Sequence, residues 1–341
     1  MEWTLVGQAD SKRTSYFLKA ASELGYPVSF VEIEEYNASK LAGTIVKVDP
    51  PTYHTSDITQ LPLLTERYIR FLKTLDAAQG LTFLNYPSDI LATLDKRHCK
   101  QVLLKAGIPT TPMLSSAISC YEELVAEMRA QRAYQVFVKP NNGSGAAGVS
   151  AFRLNPKQNE VVMYTSVLAD GSGFFNTKRM KRITSATQAA AIVNQVLKQG
   201  AIVEEWIPKA THNGAGYDLR VVWQFGKVAF IVPRFSKSPI TNLHLNNMAG
   251  IFDDLRLNSS TISKIDLICS NTMKLFPRLS YAGIDILLTK DSLQPMVIEV
   301  NGQGDLIYQD IYAENTIYKQ QLNEGEYFLL KRKHTETNIH E

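Results

Sequence analysis

The chain has 341 residues, of which 45% are hydrophobic and 20% are charged, a composition typical of a globular protein with two or three lobes and not of a disordered one. The 36 Lys and Arg residues exceed the 33 Asp and Glu residues by only three, so bulk charge predicts neither a nucleic-acid partner nor a membrane surface. Three cysteines without paired spacing favour neither a disulfide framework nor a thiolate zinc site, and they indicate a reducing compartment.

The first 35 residues alternate between strand and helix patterns. WTLVG and PVSFVEI predict short buried strands, and the apolar spacing from Ser11 to Gly25 predicts a helix between them. This order is typical of a parallel strand, helix, strand unit. A loop rich in Pro, Thr and Asp over 47–62 then leads to a helix that ends near Gln79, and a further helix is predicted from Asp95 to Lys105. We therefore place the first domain boundary at residue 95.

A glycine-rich turn lies between two predicted strands, QVFVKP and SAFRL. The turn, NNGSGAAGV, contains a GxGxxG string at Gly143, Gly145 and Gly148, but a strand follows it, which disfavours a Rossmann turn, and its spacing is not that of a P-loop. Small residues let consecutive backbone N–H groups approach an anion, so we expect a flap over phosphates. Lys139, just ahead of the turn, either adds a positive charge there or is an ordinary exposed lysine.

A basic segment follows at LADGSGFFNTKRMKR. Its four cations either face an acidic substrate or form a solvated surface: Lys178, Arg179, Lys181 and Arg182. Next come a predicted helix over 185–199 and the strand-like run AIVEEWIP. Among the histidines, His212 and His244 lie near the segments discussed here, either as proton-transfer groups or as bystanders, and no pair has metal-ligand spacing.

An oxygen-rich pair of strands is predicted near the end of the chain, in YAGIDILLTKDSLQPMVIEVNGQGD. Asp285 lies on the first strand, while Glu299 and Asn301 lie two apart on the second and therefore face the same side. Two carboxylates and an amide oxygen suit Mg²⁺ ions that also hold nucleotide phosphates, and burying such carboxylates in apolar runs without a cation is costly. Arg220 and Arg234 on nearby strands either clamp a phosphoryl group or form structural ion pairs.

Several segments, taken in order, resemble the ATP-grasp superfamily, in particular its carboxylate-amine ligases such as ribosomal S6 glutamate ligase, glutathione synthetase and D-alanine–D-alanine ligase. The resemblance runs from about residue 85 to 315 and rests on Asp95–Lys96, VKP with NNGSGAAGV, VEEWI, YDLR, Arg234 with HLNNMAG, and IEVNG. It implies an α/β fold with α+β lobes: a parallel N-terminal lobe, a lid lobe and a C-terminal lobe built on a mixed sheet. The implied domains are a pre-ATP-grasp domain (1–95), a central lid subdomain (96–200), a C-terminal subdomain with the magnesium site (201–330) and a polar tail (331–341).

The resemblance also implies a nucleotide site. Lys96 and Lys139 would lie near the phosphates, Glu205 and Ile207 would offer backbone groups to adenine, and Asp218 would accept from the ribose hydroxyls. The complete set of implied nucleotide-binding residues is Lys96, Lys139, Asn142, Gly143, Ser144, Gly145, Gly148, Glu204, Glu205, Trp206, Ile207 and Asp218.

The catalytic residues that the resemblance implies are Arg234, Arg220 and Asn246. Asp285, Glu299 and Asn301 would hold two Mg²⁺ ions, for which Mn²⁺ is a substitute, and the arginines would neutralise charge on the transferred phosphoryl group. Asn246 resembles the asparagine of an R…N…GG segment, but HLNNMAG has one terminal glycine, which leaves open whether Asn246 or Asn247 faces the site.

The implied reaction is the ATP-dependent joining of a carboxylate and an amine through an acyl phosphate, with release of ADP and phosphate. The partners would be small-molecule or peptide substrates in the cytoplasm, with no nucleic acid and no membrane, and the family allows a homodimer. Two alternatives stay open: a kinase that phosphorylates a small-molecule acceptor, and a nucleotide-gated binding protein without turnover.

Overall fold

The computed structural model describes residues 2–114, 118–143 and 145–337. Its N-terminal part is a parallel sheet with the strand order β2-β1-β3-β4, flanked by helices. The Ser11 side chain accepts a hydrogen bond from the Arg13 N–H and so caps the first helix, which ends at Gly25 in the left-handed conformation, with φ 73°. In chain order the elements are β1 (Glu2–Gly7), α1 (Lys12–Leu24), β2 (Val28–Glu32), β3 (Thr44–Val48), α2 (Leu61–Ala77), β4 (Thr82–Phe83), α3 (Pro87–Leu94) and α4 (Lys96–Lys105).

The middle part is an antiparallel sheet with the order β8-β7-β6-β5-β9. The predicted hairpin around the glycine-rich turn is confirmed, because β5 and β6 pair in register on either side of it. The elements are α5 (Tyr121–Ala130), β5 (Gln135–Pro140), β6 (Ser150–Asn155), β7 (Glu160–Asp170), β8 (Gly173–Ile183), α6 (Ala186–Lys198) and β9 (Ala201–Glu205).

The C-terminal part is a third sheet, with the order β13-β12-β11-β14-β15 and with β10 beside β11. Its elements are β10 (Thr211–His212), β11 (Ala215–Gln224), β12 (Lys227–Ser236), β13 (Met248–Ala249), α7 (Ser259–Met273), β14 (Tyr281–Leu288), β15 (Pro295–Asn301), α8 (Tyr308–Ile311) and α9 (Thr316–Thr337). The named strands of this sheet pair antiparallel, and the bridge between Thr110 and Val297 adds a parallel neighbour, in agreement with the mixed sheet that we expected. One expectation is corrected here: residues 331–337 continue α9 and do not form a separate tail.

Apolar packing joins the first and third sheets. Val6 and Val46 of the parallel sheet share one buried cluster with Leu219 and Ile284 of the C-terminal sheet. The middle sheet instead builds most of its own cluster with α5 and α6, around side chains such as Phe152. The N-terminal and C-terminal parts therefore form one packed body, over which the middle sheet lies. Within the described part of the chain, no helix combines the length and the apolar composition needed to cross a bilayer.

Candidate functional site

A cleft lies between the middle and C-terminal sheets and encloses about 890 Å³ of empty space, part of which is open to solvent. Its floor is one face of the C-terminal sheet, where strand register places Arg220 beside Asp285 and Asp285 beside Glu299. Side chains two apart on a strand share a face, so Asp218 and Asn301 join the same surface.

Two arginines and two aspartates form a continuous ion-pair network on this floor. The Arg220 Nε lies 2.6 Å from Asp285 Oδ1, and Arg234 reaches both Asp285 Oδ2, at 3.2 Å, and Asp218 Oδ1, at 2.7 Å. Asp218 also accepts from Lys209, at 3.3 Å, and from the Thr241 hydroxyl. Both oxygens of Asp218 therefore have protein partners, and this carboxylate positions Arg234.

Lys96 and the glycine-rich loop close one side of the cleft. The Lys96 Nζ donates to the Gly143 carbonyl at 2.7 Å and lies 3.5 Å from Glu299 Oε1. Gly145 adopts φ 68°, a conformation that favours glycine. Lys96 thus bridges the loop to the oxygen-rich strand β15.

Glu204 forms a second buried group on the opposite wall. Its carboxylate lies 2.6 Å from the Lys100 Nζ, pairs with Lys139 and accepts from the Thr111 hydroxyl at 2.8 Å. Glu204 is only 1% exposed. Burial lowers the pKa of Lys100 to about 7. Burial also lowers the pKa of Lys139 to about 7, and the neighbouring Lys100 ammonium contributes to that shift.

The oxygen set predicted to bind metal is brought together. Asp285 and Glu299 face each other across β14 and β15, and Asn301 lies two residues further along β15. Each member also has a protein partner: Asp285 is paired with arginines, Glu299 is paired with Lys96, and the Asn301 amide donates to the Gly283 carbonyl at 3.3 Å. Within residues 2–114, 118–143 and 145–337, no three His, Cys, Asp or Glu side chains group as metal ligands, so a metal here would use two carboxylates and an amide.

Most of the residues predicted from the sequence line the cleft, but four of them do not. Gly148 packs against Pro140, where an added Cβ would lie 2.9 Å from Pro140 Cγ, and Trp206 packs against Phe137 with ring centroids 5.7 Å apart. The other two are Asn142 and Asn246. Ser144 lies outside the described residues.

Neither candidate of the HLNNMAG segment reaches the cleft wall. The Asn246 amide donates to the Lys178 carbonyl at 3.3 Å, and the Asn247 amide donates to the carbonyls of Ile240 and Asn242. Asn242 lines the cleft instead. The basic side chains of β8 are exposed, in agreement with a solvated surface: Lys178, Arg179, Lys181 and Arg182.

Sequence reasoning missed several polar residues of the site: Lys100, Thr111, Lys209, Thr241 and Asn242. For Lys100 a signal was present, because it follows Lys96 by one helical turn and therefore shares its helix face. Lys209 and Thr241 lie on loops, where no periodicity marks a buried polar side chain.

A buried charge cluster lies behind the site and consists of Arg13, Lys47, Asp49 and Asp305; we call it the anchor cluster. The Lys47 Nζ is 2.8 Å from Asp49 Oδ1 and 2.7 Å from Asp305 Oδ2, and Arg13 also pairs with Asp305. Arg13 donates to the Gln303 carbonyl at 2.7 Å as well. The anchor cluster therefore ties the parallel sheet to the loop that directly follows Glu299 and Asn301.

Acid should destabilise the protein through Asp218. Burial alone would raise the pKa of this carboxyl, but Arg234 and Lys209 outweigh burial and hold the pKa well below its usual range. The folded pKa thus lies below the unfolded value of about 3.9, so the stabilisation is complete above that pH and is lost as pH falls through the folded pKa. We expect urea midpoints measured at about pH 5 and about pH 3 to differ less in Asp218→Asn than in the wild type. Equal differences in the two proteins would contradict this assignment.

The amino-acid sequence is similar to that of known ligases over part of its length. No model of a known protein family matches the chain. It is 26% identical over 195 residues to the D-alanine–D-alanine ligase of Listeria welshimeri serovar 6b, a match that covers 54% of this chain and 49% of that protein. The match therefore spans about half the length of this curated relative.

Solved structures share the fold over nearly the whole chain. The structure of the D-cycloserine synthetase DcsG aligns with a TM-score of 0.63 at 14% identity, covering 96% of this chain and 100% of that one. The ATP-grasp ligase PsnB, complexed with precursor peptide PsnA2 and AMPPNP, aligns with a TM-score of 0.54 at 15% identity, covering 96% of this chain and 97% of that one.

Proposed function

We propose that this chain, a member of the ATP-grasp superfamily by its fold, is an ATP-dependent carboxylate-amine ligase that forms an amide through an acyl phosphate and releases ADP and phosphate. One observation carries the proposal. A single cleft collects phosphate-binding groups (Lys96, Lys139 and the glycine-rich loop), two arginines, and the oxygen set of Asp285, Glu299 and Asn301. Phosphoryl transfer depends mainly on positioning and on charge neutralisation, and this arrangement supplies both.

Nucleotide placement follows from the walls of the cleft. The triphosphate would lie along Lys96 and Lys139 beneath the loop, and adenine would lie beside Glu205 and Ile207. The Glu205 N–H already donates to the Pro112 carbonyl at 2.8 Å, so it is occupied within the protein. Of the remaining predicted nucleotide contacts, we retain Gly143, Gly145 and Asp218, which also line the cleft. Glu204 lines the cleft as well, but it pairs there with Lys139 and does not contact the nucleotide in our proposal.

The donor chemistry of the cleft fits Mg²⁺. Five basic and five acidic side chains line it, so its formal charges balance: Lys96, Lys139, Lys209, Arg220 and Arg234 against Glu204, Glu205, Asp218, Asp285 and Glu299. Bound ATP would add excess negative charge to this balanced lining, and two bound Mg²⁺ ions would offset that charge. Asp285, Glu299 and Asn301 would hold the metal, two ions in our proposal with Mn²⁺ as a substitute, and bound Mg²⁺ would neutralise charge on the phosphates.

In the proposed reaction a substrate carboxylate oxygen attacks the γ-phosphorus, the bond from that phosphorus to the β,γ-bridging oxygen breaks, and ADP leaves. An amine nitrogen then attacks the acyl carbon, the carbon–oxygen bond to phosphate breaks, and the amine gives up one proton. Arg220 and Arg234 would hold the transferred phosphoryl oxygens, since their guanidinium groups already lie in a fixed array on the floor. The domain boundaries at residues 95 and 200, and the homodimer, stay predictions.

Nucleotide affinity should depend on pH. Burial, with a smaller contribution from the neighbouring Lys100, lowers the pKa of Lys139 to about 7. A bound phosphate favours the ammonium form and raises this pKa, so binding takes up a proton wherever the free protein has lost one. The affinity for the magnesium nucleotide should therefore be highest below about pH 7. Above that pH it should fall by up to about tenfold per pH unit. Calorimetry with magnesium ADP in two buffers of different ionisation enthalpy, at about pH 8, measures the proton uptake, and an uptake of zero would contradict the expectation.

The function itself is tested by measuring ADP release from magnesium ATP in the presence of pooled amino acids, dipeptides and polyamines, followed by mass spectrometry of each active pool. Peptides belong in the pools because the ATP-grasp ligase PsnB was solved with a precursor peptide. A product equal to acid plus amine minus water supports the ligase. A stable phosphorylated product would replace it with the kinase, and nucleotide binding without turnover in any pool would favour the binding protein.

A further inference from the structure

Two lysine side chains pair with Glu204, one of them buried behind it and the other facing the cleft. Lys100, on α4, is 3% exposed, and its Nζ lies within hydrogen-bonding distance of Glu204 Oε2, at 2.6 Å, and of the Thr110 hydroxyl, at 3.2 Å. Lys139, at the end of β5, pairs with the other oxygen, Oε1, and lines the cleft. One lysine is thus enclosed behind the carboxylate, and the other faces the space proposed for phosphates.

Binding of a phosphate would change the pairing of Glu204 with Lys100 and Lys139. With the cleft empty, both lysines share one carboxylate that is 1% exposed. When Lys139 turns to a phosphate, Glu204 loses one of its two cations. An unpaired buried carboxylate is strongly unfavourable, so Lys139 can leave only if another cation stays on Glu204.

We infer that Lys100 is a positioning residue that keeps Glu204 paired, so that Lys139 can exchange Glu204 for a phosphate of the nucleotide. This inference rests on the proposed function, since it deepens the account of the same nucleotide site. Lys100 does not line the cleft, and it is held from three sides by Glu204, Thr110 and Thr111. It therefore acts through Lys139 and not on the nucleotide.

The experiment measures the Kd of magnesium ADP by calorimetry for the wild type and for Lys100→Met, Glu204→Gln and the double variant Lys100→Met/Glu204→Gln. Lys105→Met is the matched control, because Lys105 is an exposed lysine on the same helix. Without Lys100, the buried Glu204 retains Lys139, so we expect Lys100→Met to weaken binding by about tenfold or more. In the double variant Glu204 no longer holds Lys139, and affinity should return to within about threefold of the wild type.

The rescue separates this inference from a merely structural role. If Lys100 only supported the fold, removing Glu204 as well would not restore binding. If Glu204 contacts the nucleotide directly, both variants that contain Glu204→Gln would bind weakly, and the inference would be overturned. If Lys100→Met fails to fold, the Kd of Glu204→Gln for magnesium ADP still tests the inference. The inference requires Glu204→Gln to bind magnesium ADP at least as tightly as the wild type does. A wild type that binds no magnesium ADP would overturn the proposed function, whereas equal binding by the wild type and Lys100→Met would overturn only the inference.

Discussion

Replacing Arg234 with methionine should lower acceptor-dependent ADP release by about 10³-fold, the scale seen when an arginine that neutralises a transferred phosphoryl group is removed. Arg234 is 6% exposed and pairs with both Asp218 and Asp285, so its guanidinium is fixed before any substrate binds. A charge that is already oriented needs no reorganisation when negative charge develops on the phosphoryl oxygens. The loss should therefore appear in kcat and far less in the Kd of magnesium ADP.

Two further variants make this prediction specific. Arg234→Lys keeps the positive charge but cannot span both carboxylates, so its rate should lie between those of the wild type and the methionine variant. Arg129→Met changes an exposed arginine on α5 and should leave the rate unchanged. If Arg234→Met reduced ADP affinity and turnover by the same factor, Arg234 would be a ground-state binding group and not the neutralising group proposed here.

Replacing Asp305 with asparagine should reduce the free energy of unfolding by about 3–5 kcal/mol, the usual result of breaking a buried ion pair from one side. Lys47 has no exposed side-chain surface, and its ammonium lies against three rings, those of Phe17, Tyr281 and Tyr318. Burial alone would lower the pKa of Lys47, but Asp305 and Asp49 raise it well above its usual value, so the lysine stays charged. Without Asp305, that charge retains only Asp49 as a carboxylate partner.

Urea unfolding gives the measurement for Asp305→Asn. Asp291→Asn, in the exposed turn between β14 and β15, is the matched control and should change stability by no more than about 0.5 kcal/mol. A loss of less than about 1 kcal/mol for Asp305→Asn would show that water or side-chain movement compensates for the missing charge.

The sequence was informative wherever strand periodicity decides which way a side chain points. Glu299 and Asn301 could be assigned to one face because alternation along β15 is local, and the register of the structure then places Asp285 opposite Glu299. The ordered motifs likewise predicted a fold that solved structures share over nearly the whole chain.

Loops and long-range charge pairs could not be predicted in this way. Asn246, four residues before Gly250, matched a motif by spacing, yet the irregular backbone turns it toward Lys178 and brings Asn242 to the cleft. Strand β3 was not predicted, because Lys47 interrupts the apolar pattern of TIVKV. The partner of Lys47, Asp305, lies 258 residues away, and no local pattern connects them.

The anchor cluster limits how this protein can be recombined with its relatives. A chimera that replaced residues 1–95 with the equivalent segment of another protein would lose Arg13, Lys47 and Asp49 together and leave Asp305 as a lone buried anion. Grafting would succeed only if position 305 were changed along with the N-terminal segment, or if the donor brought its own cation. The predicted boundary at residue 95 therefore separates two segments whose buried charges depend on each other.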